Sequence, residues 1–321
     1  MKQWKLLAIS LLGISLLSGC ATTVKMQVKR APELDLKDVK TVSVKDFSVN
    51  GNLNLDLFNK KKGLMGAVTS IAADVGSNEL AKRHHDEIKT LHRNGLKNAL
   101  FSNGYFKVSD GDNSQATIGG NINYNVSDEF IEETHKDEKG KTTNFFTLER
   151  KAKVSINMQV TDKSGTIIGS KTLSTTKGTR ASGLKKGDAR EKTEEWHKIV
   201  NKAVQSLQEN SVRKIAPYYV WESRKLAEAD AKIIEKGNDA ASDGDWERAV
   251  SFWEEARDSG STKDKAAALY NLSIHDEKQG QLNDALEKLK LASSLVDEDD
   301  YRVQIRTIER RIRESEQLSG K

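Results

Sequence analysis

Apolar and polar residues alternate strictly along one stretch near the middle of the chain. One face of this stretch would carry Ala116, Ile118, Gly120, Ile122, Tyr124 and Val126. The positions between them carry only Thr, Gly and Asn. A period of two is typical of a strand with one buried face, because successive side chains of a strand point to opposite sides. The same alternation predicts a second strand at Phe146, Leu148, Val154, Ile156, Met158 and Val160.

Two longer segments have the apolar spacing of helices. The first is predicted over residues 80–101, where one side is formed by Ile88, Leu91, Ala99 and Leu100. Gly104 follows this segment, as is common just beyond the end of a helix. The second helix is predicted over 194–216 and stops before Pro217, which cannot continue a helix.

Further strands lie around these helices. One is predicted at 40–49, with an irregularity near Asp46, and another at 105–108. The turn at 162–165 leads into an apolar run at 166–173, which predicts a hairpin. Strand, helix, several strands and helix in this order favour an α+β sandwich, in which a mixed sheet carries its helices on one face.

The last third of the chain contains an internal repeat. The first copy carries Gly237, Gly244, Asp245, Trp246, Ala249, Trp253 and Ala256. The second copy carries Leu269, Leu272, Gly280, Leu282, Ala285, Leu289 and Ala292. These positions resemble the tetratricopeptide repeat (TPR), although Ser273 replaces the equivalent of Gly237 and both copies lack the closing proline. A further amphipathic helix at 300–318 would cap the repeats.

The repeat resemblance implies a docking module for another protein. Stacked helical repeats form a concave surface that binds a peptide or protein. We predict that the contacts come from Trp246, Trp253, Tyr270 and Asn271. The alternative is that the repeats only stabilise the first domain by packing on it.

The beginning of the chain has the three regions of an export signal. Lys2 and Lys5 precede an apolar run at 6–17, and small residues lead to Cys20. The run is too short to span a bilayer as a helix, which needs about 20 residues. The sequence Leu-Ser-Gly-Cys that ends at Cys20 resembles the bacterial lipobox.

The lipobox resemblance implies a covalent lipid anchor. It predicts cleavage between Gly19 and Cys20, a thioether-linked diacylglycerol on Cys20, and an acyl chain such as palmitate on the new amino terminus. The absence of aspartate at position 21 is similar to signals for the outer membrane, with the protein facing the periplasm. Residues 20–37 would form a tether. An ordinary secretory signal with an incidental cysteine is the alternative.

Composition excludes several other classes of function. The formal net charge of +5 arises from 52 basic and 47 acidic residues, which are interleaved rather than gathered in a stripe, so we predict no nucleic-acid partner. The single cysteine permits no internal disulfide and no cysteine-based zinc site. We find no spacing typical of catalytic residues or of metal ligands, and we predict no enzyme activity and no cofactor besides the lipid.

Part of the chain also resembles a known envelope domain. Residues 96–108 (LKNALFSNGYFKV), the opening strand and the hairpin at 154–173 look like the CsgG and TolB amino-terminal type of domain. This resemblance implies work in assembly or secretion at the outer membrane. The predicted organisation is a signal peptide at 1–19, the tether at 20–37, the α+β domain at 38–220 and the repeats at 221–321.

Two functions remain open at this point. The first is an adaptor or assembly factor that binds other envelope proteins through both domains. The second is a subunit of an oligomeric secretion channel, which would require a strand with one face towards lipid; the segment at 148–160 is long enough, but Arg150 interrupts its apolar face. An insert at 51–78, with a basic cluster and an apolar helical face, would pack on the sheet or a neighbouring subunit, or lie on a membrane.

Overall fold

The computed structural model describes residues 22–36, 38–55, 79–110, 113–136 and 138–319. These residues form a mixed α/β structure with a helical region at its carboxy-terminal side, as predicted. Their contacts divide into two units. We call Arg30–Tyr218 the mixed unit, and residues 22–29 together with Tyr219–Ser319 the helical unit.

The described part of the mixed unit contains a six-stranded sheet. Its strands are β2 (Thr41–Val44), β3 (Ser48–Asn54), β4 (Lys107–Val108), β5 (Ala116–Lys136), β6 (Thr142–Asp162) and β7 (Ile167–Gly183). β2 and β3 both run parallel to β5, one after the other along the same side, and β4 runs parallel to β2. β5, β6 and β7 are antiparallel neighbours. The sheet is therefore mixed, as the order of predicted elements indicated.

The burial of side chains along the strands matches the predicted alternation. On β5 and β6 the apolar side chains share one buried face: Ile118, Ile122, Tyr124, Val126, Leu148, Val154, Ile156, Met158 and Val160. The predicted hairpin is formed by β6 and β7, with an irregularity between Val160 and Thr161. The opening strand is interrupted near Asp46, between the end of β2 and the start of β3. Asp46 forms a salt bridge with Arg93 at 2.8 Å.

Helices cover the apolar face of this sheet. They are α1 (His85–Asn103), α2 (Lys186–Lys192) and α3 (Trp196–Ile215). α1 buries Ile88, Leu96 and Leu100, and α3 buries an apolar row that includes Val200 and Val204; these side chains belong to the same core as the sheet. α1 ends at Gly104 in the left-handed conformation (φ 72°), which explains why glycine follows the helix.

The helical unit combines a strand pair with five consecutive described helices. The strands are β1 (Thr23–Arg30) and β8 (Tyr218–Lys225). The helices are α4 (Lys232–Ser242), α5 (Trp246–Ser259), α6 (Thr262–Gln279), α7 (Leu282–Leu295) and α8 (Asp299–Ser319). Each helix packs against the next. Their core includes Ile234, Trp253, Leu272, Leu289 and Ile308.

Part of the segment predicted as a tether at 20–37 is a strand, β1. Val24, Met26 and Val28 are buried in the core of the helical unit, and the backbone N–H of Leu226 donates to the Thr22 carbonyl at 2.8 Å. The sequence TVKMQVKR alternates as a strand does, but the strand is stable only because β8 and the helices supply a partner and a core from the far end of the chain. The predicted boundary between 220 and 221 lies close to the unit boundary, whereas residues 22–29 belong with the later unit.

Glycine at position 120 is required by the backbone of β5. Its φ is 145°, a conformation that other residues rarely adopt, and a Cβ placed there would overlap the carbonyl oxygen of Asn157 on β6. The neighbouring Gly119 has ordinary strand geometry. A Cβ placed at Gly119 would have the Lys45 Cβ, 4.0 Å away, as its nearest neighbour.

We expect Gly120→Ala to lower the free energy of unfolding by at least about 3 kcal/mol, because both the backbone and Asn157 would have to shift. Gly119→Ala is the matched control and should change it by less than about 1 kcal/mol. Urea unfolding followed by circular dichroism compares the two variants. Equal, small effects would contradict the strain argued for position 120.

His92 is buried in the core of the mixed unit. Its ring lies edge-on to Phe47, with centroids 4.5 Å apart, and neither ring nitrogen has a hydrogen-bond partner among the described residues. Burial lowers the pKa of His92 from 6.5 to about 4. The folded state therefore holds a neutral imidazole, while the unfolded chain takes up a proton already near pH 6.5.

This difference predicts a loss of stability in acid. Between pH 6.5 and pH 4 the unfolded state binds the extra proton, so the free energy of unfolding should fall by roughly 3 kcal/mol as the pH is lowered. Above pH 6.5 the contribution vanishes. His92→Leu should make this part of the pH profile in urea unfolding shallower, while His85, His197 and His275, whose pKa values are also lowered by burial, still contribute to the remaining slope. The same slope in wild type and His92→Leu would assign the effect elsewhere.

Candidate functional site

The helical unit contains the residues predicted to bind a partner. The close packing of its helices determines the positions of these residues. α4 and α5 approach each other at Gly237, where a Cβ would overlap the indole of Trp253. The Trp253 Nε1–H donates to the Asn238 Oδ1 at 3.2 Å, and Ala249 and Ala256 are buried beside it. Small residues at these positions allow the two helices to enclose one large indole, as the repeat pattern indicated.

Three of the four predicted contact residues are buried. Trp253 and Asn271 are 0% exposed and Tyr270 is 5% exposed. Trp246 is partly exposed at the edge of the unit, with the Lys278 Nζ 5.2 Å from the centre of its ring. Trp253, Tyr270 and Asn271 therefore hold the unit together in this structure, and the prediction that they contact a partner directly is corrected. The repeat spacing identified helix-packing positions and could not tell which side of α6 would be covered.

The chain itself covers α6. Asn271 receives a hydrogen bond from the Ala227 N–H at 2.7 Å and donates one to the Ala227 carbonyl at 3.0 Å, to which Asn238 also donates at 3.0 Å. A little further along, the Ala231 N–H donates to Asp264 at 3.2 Å. The extended link between β8 and α4 thus uses the hydrogen-bonding groups of the buried asparagines, which are then not free to bind another peptide.

A buried carboxylate joins three parts of the helical unit. Glu277 of α6 accepts two hydrogen bonds from Arg224 of β8, at 2.8 and 2.6 Å. It also accepts from Gln304 at 2.7 Å and from Arg311 at 2.6 Å, both on α8. The Glu277 side chain is 0% exposed. Burial disfavours the charged form of Arg224, but hydrogen bonds to Glu277 and Glu222 outweigh this and raise the pKa of Arg224.

Residues of the helical unit line two small cavities. One of about 150 Å³ is lined by Lys225, Tyr270 and Tyr301 among others, and the two tyrosine rings stack with centroids 4.9 Å apart. Burial raises the pKa of Tyr270 to about 12, so its hydroxyl stays protonated. A second cavity, of about 300 Å³, has acidic walls that include Glu228 and Glu235. Both are at or below the size of typical small-molecule sites.

The outer surface of α7 and α8 carries exposed apolar side chains. Leu291 and Leu295 lie four residues apart on α7 and are 52% and 37% exposed, and Val303 of α8 is 51% exposed. α7 and α8 pack against each other. Leu291 and Leu295 are spaced by four and share one face of α7, so this face offers apolar contacts that the buried repeat residues cannot.

The site predicted at the amino terminus and most of the insert lie outside the residues that the structure describes. Gly19 and Cys20, and residues 56–78 of the insert, are not among the described residues. Within the described ranges, no group of three or more His, Cys, Asp or Glu side chains could hold a metal ion. In the same ranges, no helix has the length and apolar character needed to cross a membrane.

Comparisons with known proteins assign no function. Residues 235–315 match DUF6340, a domain of unknown function, and no curated protein matches the chain. Among solved structures, the chain is similar to a protein of Helicobacter pylori described as a neuraminyllactose-binding hemagglutinin homolog, with 14% identity over 58% of this chain and 86% of that one and a TM-score of 0.31. A minor lipoprotein of Acinetobacter baumannii shares 12% identity over 55% of this chain and 91% of its own, with a TM-score of 0.23. TM-scores this low establish no common fold, and the CsgG/TolB and TPR resemblances stay predictions.

Loss of the Glu277 charge should destabilise the helical unit. Glu277→Gln would leave Arg224 and Arg311 buried without their shared carboxylate, and we expect the free energy of unfolding to fall by about 3 kcal/mol or more. Asp300→Asn removes the exposed partner of Lys225 and should cost less than about 1 kcal/mol. Urea unfolding followed by tryptophan fluorescence measures both. Similar effects of the two variants would show that the buried network contributes no more than a surface pair.

Proposed function

We propose that this chain is a lipid-anchored, non-enzymatic accessory protein of the bacterial envelope, attached to the outer membrane through Cys20 and facing the periplasm. The observation that carries the proposal is the position of β1, which begins three residues after Cys20. Val24 of this strand is only 4% exposed. An acyl group on Cys20 would therefore hold the folded helical unit itself close to the bilayer.

The anchor is the diacylglycerol and amino-terminal acyl chain implied by the lipobox resemblance. Each buried methylene contributes about 0.8 kcal/mol, so several chains together give lasting attachment. Position 21 is alanine, which agrees with sorting to the outer membrane in signals of this type. The proposal includes no cofactor beyond this lipid.

The accessory role consists of binding another envelope protein, with the helices acting as TPR-like hairpins. Because the chain occupies the buried face of α6, we place the contact on the exposed face of α7 that carries Leu291 and Leu295. Exposed apolar side chains on a packed helix are suited to a protein interface. The mixed unit would serve as a second binding domain.

The channel hypothesis receives less support. The apolar face of the segment at 148–160 is buried in the mixed unit rather than open to lipid. Arg150, which interrupts that face in the sequence, is buried too and binds both carboxylate oxygens of Asp128, at 2.7 and 2.8 Å. This strand face already has a protein core against it.

Metabolic labelling with a palmitate analogue tests the anchor. We expect the wild-type chain to incorporate the label and to lose the mass of residues 1–19, while Cys20→Ser should show neither change because it removes the acylated thiol. Ser18→Ala is the matched control, since it alters the signal but keeps the cysteine. Labelling that persists in Cys20→Ser would exclude the proposed anchor.

Crosslinking in native cells tests the accessory role on the same material. A discrete crosslinked complex should form with wild type, disappear with Leu291→Asp combined with Leu295→Asp, and survive Lys290→Asp, an exposed position on the same helix. Circular dichroism confirms that the variants are folded. A conducting ring of this chain in detergent would instead support the channel.

A further inference from the structure

The β1–β8 strand pair has two unlike faces. One face packs into the core of the helical unit through Val24, Met26 and Val28. The opposite face, which we call the ribbon face, consists of the exposed alternate residues Thr23, Lys25, Gln27, Lys29, Tyr219, Trp221, Ser223 and Lys225. Alternation along each strand places these side chains together on the solvent side.

The ribbon face exposes two large aromatic side chains. Trp221 is 71% exposed and Tyr219 is 58% exposed. By contrast, Trp196 and Trp253 are buried and Trp246 is partly buried. Tryptophan and tyrosine combine an apolar ring with a polar group, and they are enriched where a protein meets the headgroup region of a membrane.

The charge of the ribbon face is positive. Lys25, Lys29 and Lys225 are exposed, and neither strand has an acidic residue at these alternate positions. Lys225 pairs with Asp300 at 3.2 Å. Lys25 and Lys29 form no ion pair with any described residue. Lysines at a membrane surface are attracted to anionic headgroups.

The position of the ribbon in the chain brings this face to a bilayer. Thr23 follows Cys20 by three residues, so their Cα atoms can be at most about 11 Å apart. A lipid on Cys20 would therefore keep the start of β1 at the membrane surface. This step rests on the proposed anchor, whereas the composition of the ribbon face is independent of it.

We infer that the ribbon face is a docking surface for a bilayer that contains anionic phospholipids. Trp221 and Tyr219 enter the headgroup region, while Lys25 and Lys29 contact lipid phosphates. The acyl chains on Cys20 supply attachment, and the ribbon face sets which side of the helical unit faces the lipid. Exposed basic and aromatic residues, on strand positions that include no acidic residue, fit an anionic lipid surface better than they fit an apolar protein groove.

Fluorescence quenching by brominated lipids tests the contact. Acylated full-length mature protein is incorporated into vesicles of phosphatidylcholine alone or with 30% phosphatidylglycerol. We expect at least a twofold greater quenching in the anionic vesicles than in the neutral ones. Trp221→Phe should abolish most of the quenching, whereas Trp246→Phe, the matched tryptophan control, should retain it.

Charge variants test the role of the lysines. Lys25→Gln combined with Lys29→Gln should remove the difference between anionic and neutral vesicles. Lys232→Gln combined with Lys236→Gln makes the same change of charge at exposed positions on α4 and should leave the difference intact. Raising the salt concentration should weaken the wild-type difference, because exposed charges are screened.

Mass spectrometry of the same preparations separates this inference from the proposed anchor. A Cys20→Ser chain expressed from residue 20 onwards retains every described residue and lacks the acyl group. It should still float with anionic vesicles, weakly and only at low salt. If acyl groups are absent from the native protein but this binding occurs, the anchor fails and the ribbon face stands. If acylation is present but the brominated lipids do not quench Trp221, the ribbon-face inference is overturned. The same holds if a crosslinked protein covers Trp221 and prevents its quenching.

Discussion

The packing of strand β1 into the helical unit is the constraint on which the other features of that unit depend. Val24, Met26 and Val28 lie in a core whose other members come from the far end of the chain. A two-stranded ribbon has little stability alone in water, so β1 and β8 need the helices, and the helices gain an apolar cover. Through this contact, residues 22–29 belong to a folded body.

The same arrangement changes how the helical repeats can act. Once β8 and the link to α4 are in place, Asn271, Asn238 and Glu277 make their hydrogen bonds within the chain. Breaking these bonds to admit a partner peptide would leave buried polar groups unpaired, which is costly. The binding functions that we propose are therefore placed on exposed surfaces, on the outer side of α7 and on the ribbon face.

Much of the mixed unit was predictable because its signals are local. Alternation from Ala116 to Val126 places the same side chains inward as the structure does, and Gly104 ends α1 as expected. Helix and strand periods reflect which face is buried, so a single amphipathic pattern is sufficient to identify an element. Arg150 interrupted such a pattern, and only its pairing with Asp128 on the neighbouring strand explains why a charge is tolerated there.

The sequence by itself determined the type of most elements, the mixed α/β architecture and the carboxy-terminal helical region, since periodicity, glycine and proline positions act over a few residues. The tertiary structure decided that residues 23–30 form a strand and that Trp253, Tyr270 and Asn271 are internal. It also decided that Trp221, Lys25 and Lys29 are all exposed. These outcomes depend on pairing between β1 and β8, which lie nearly two hundred residues apart, and local patterns carry no information on that contact.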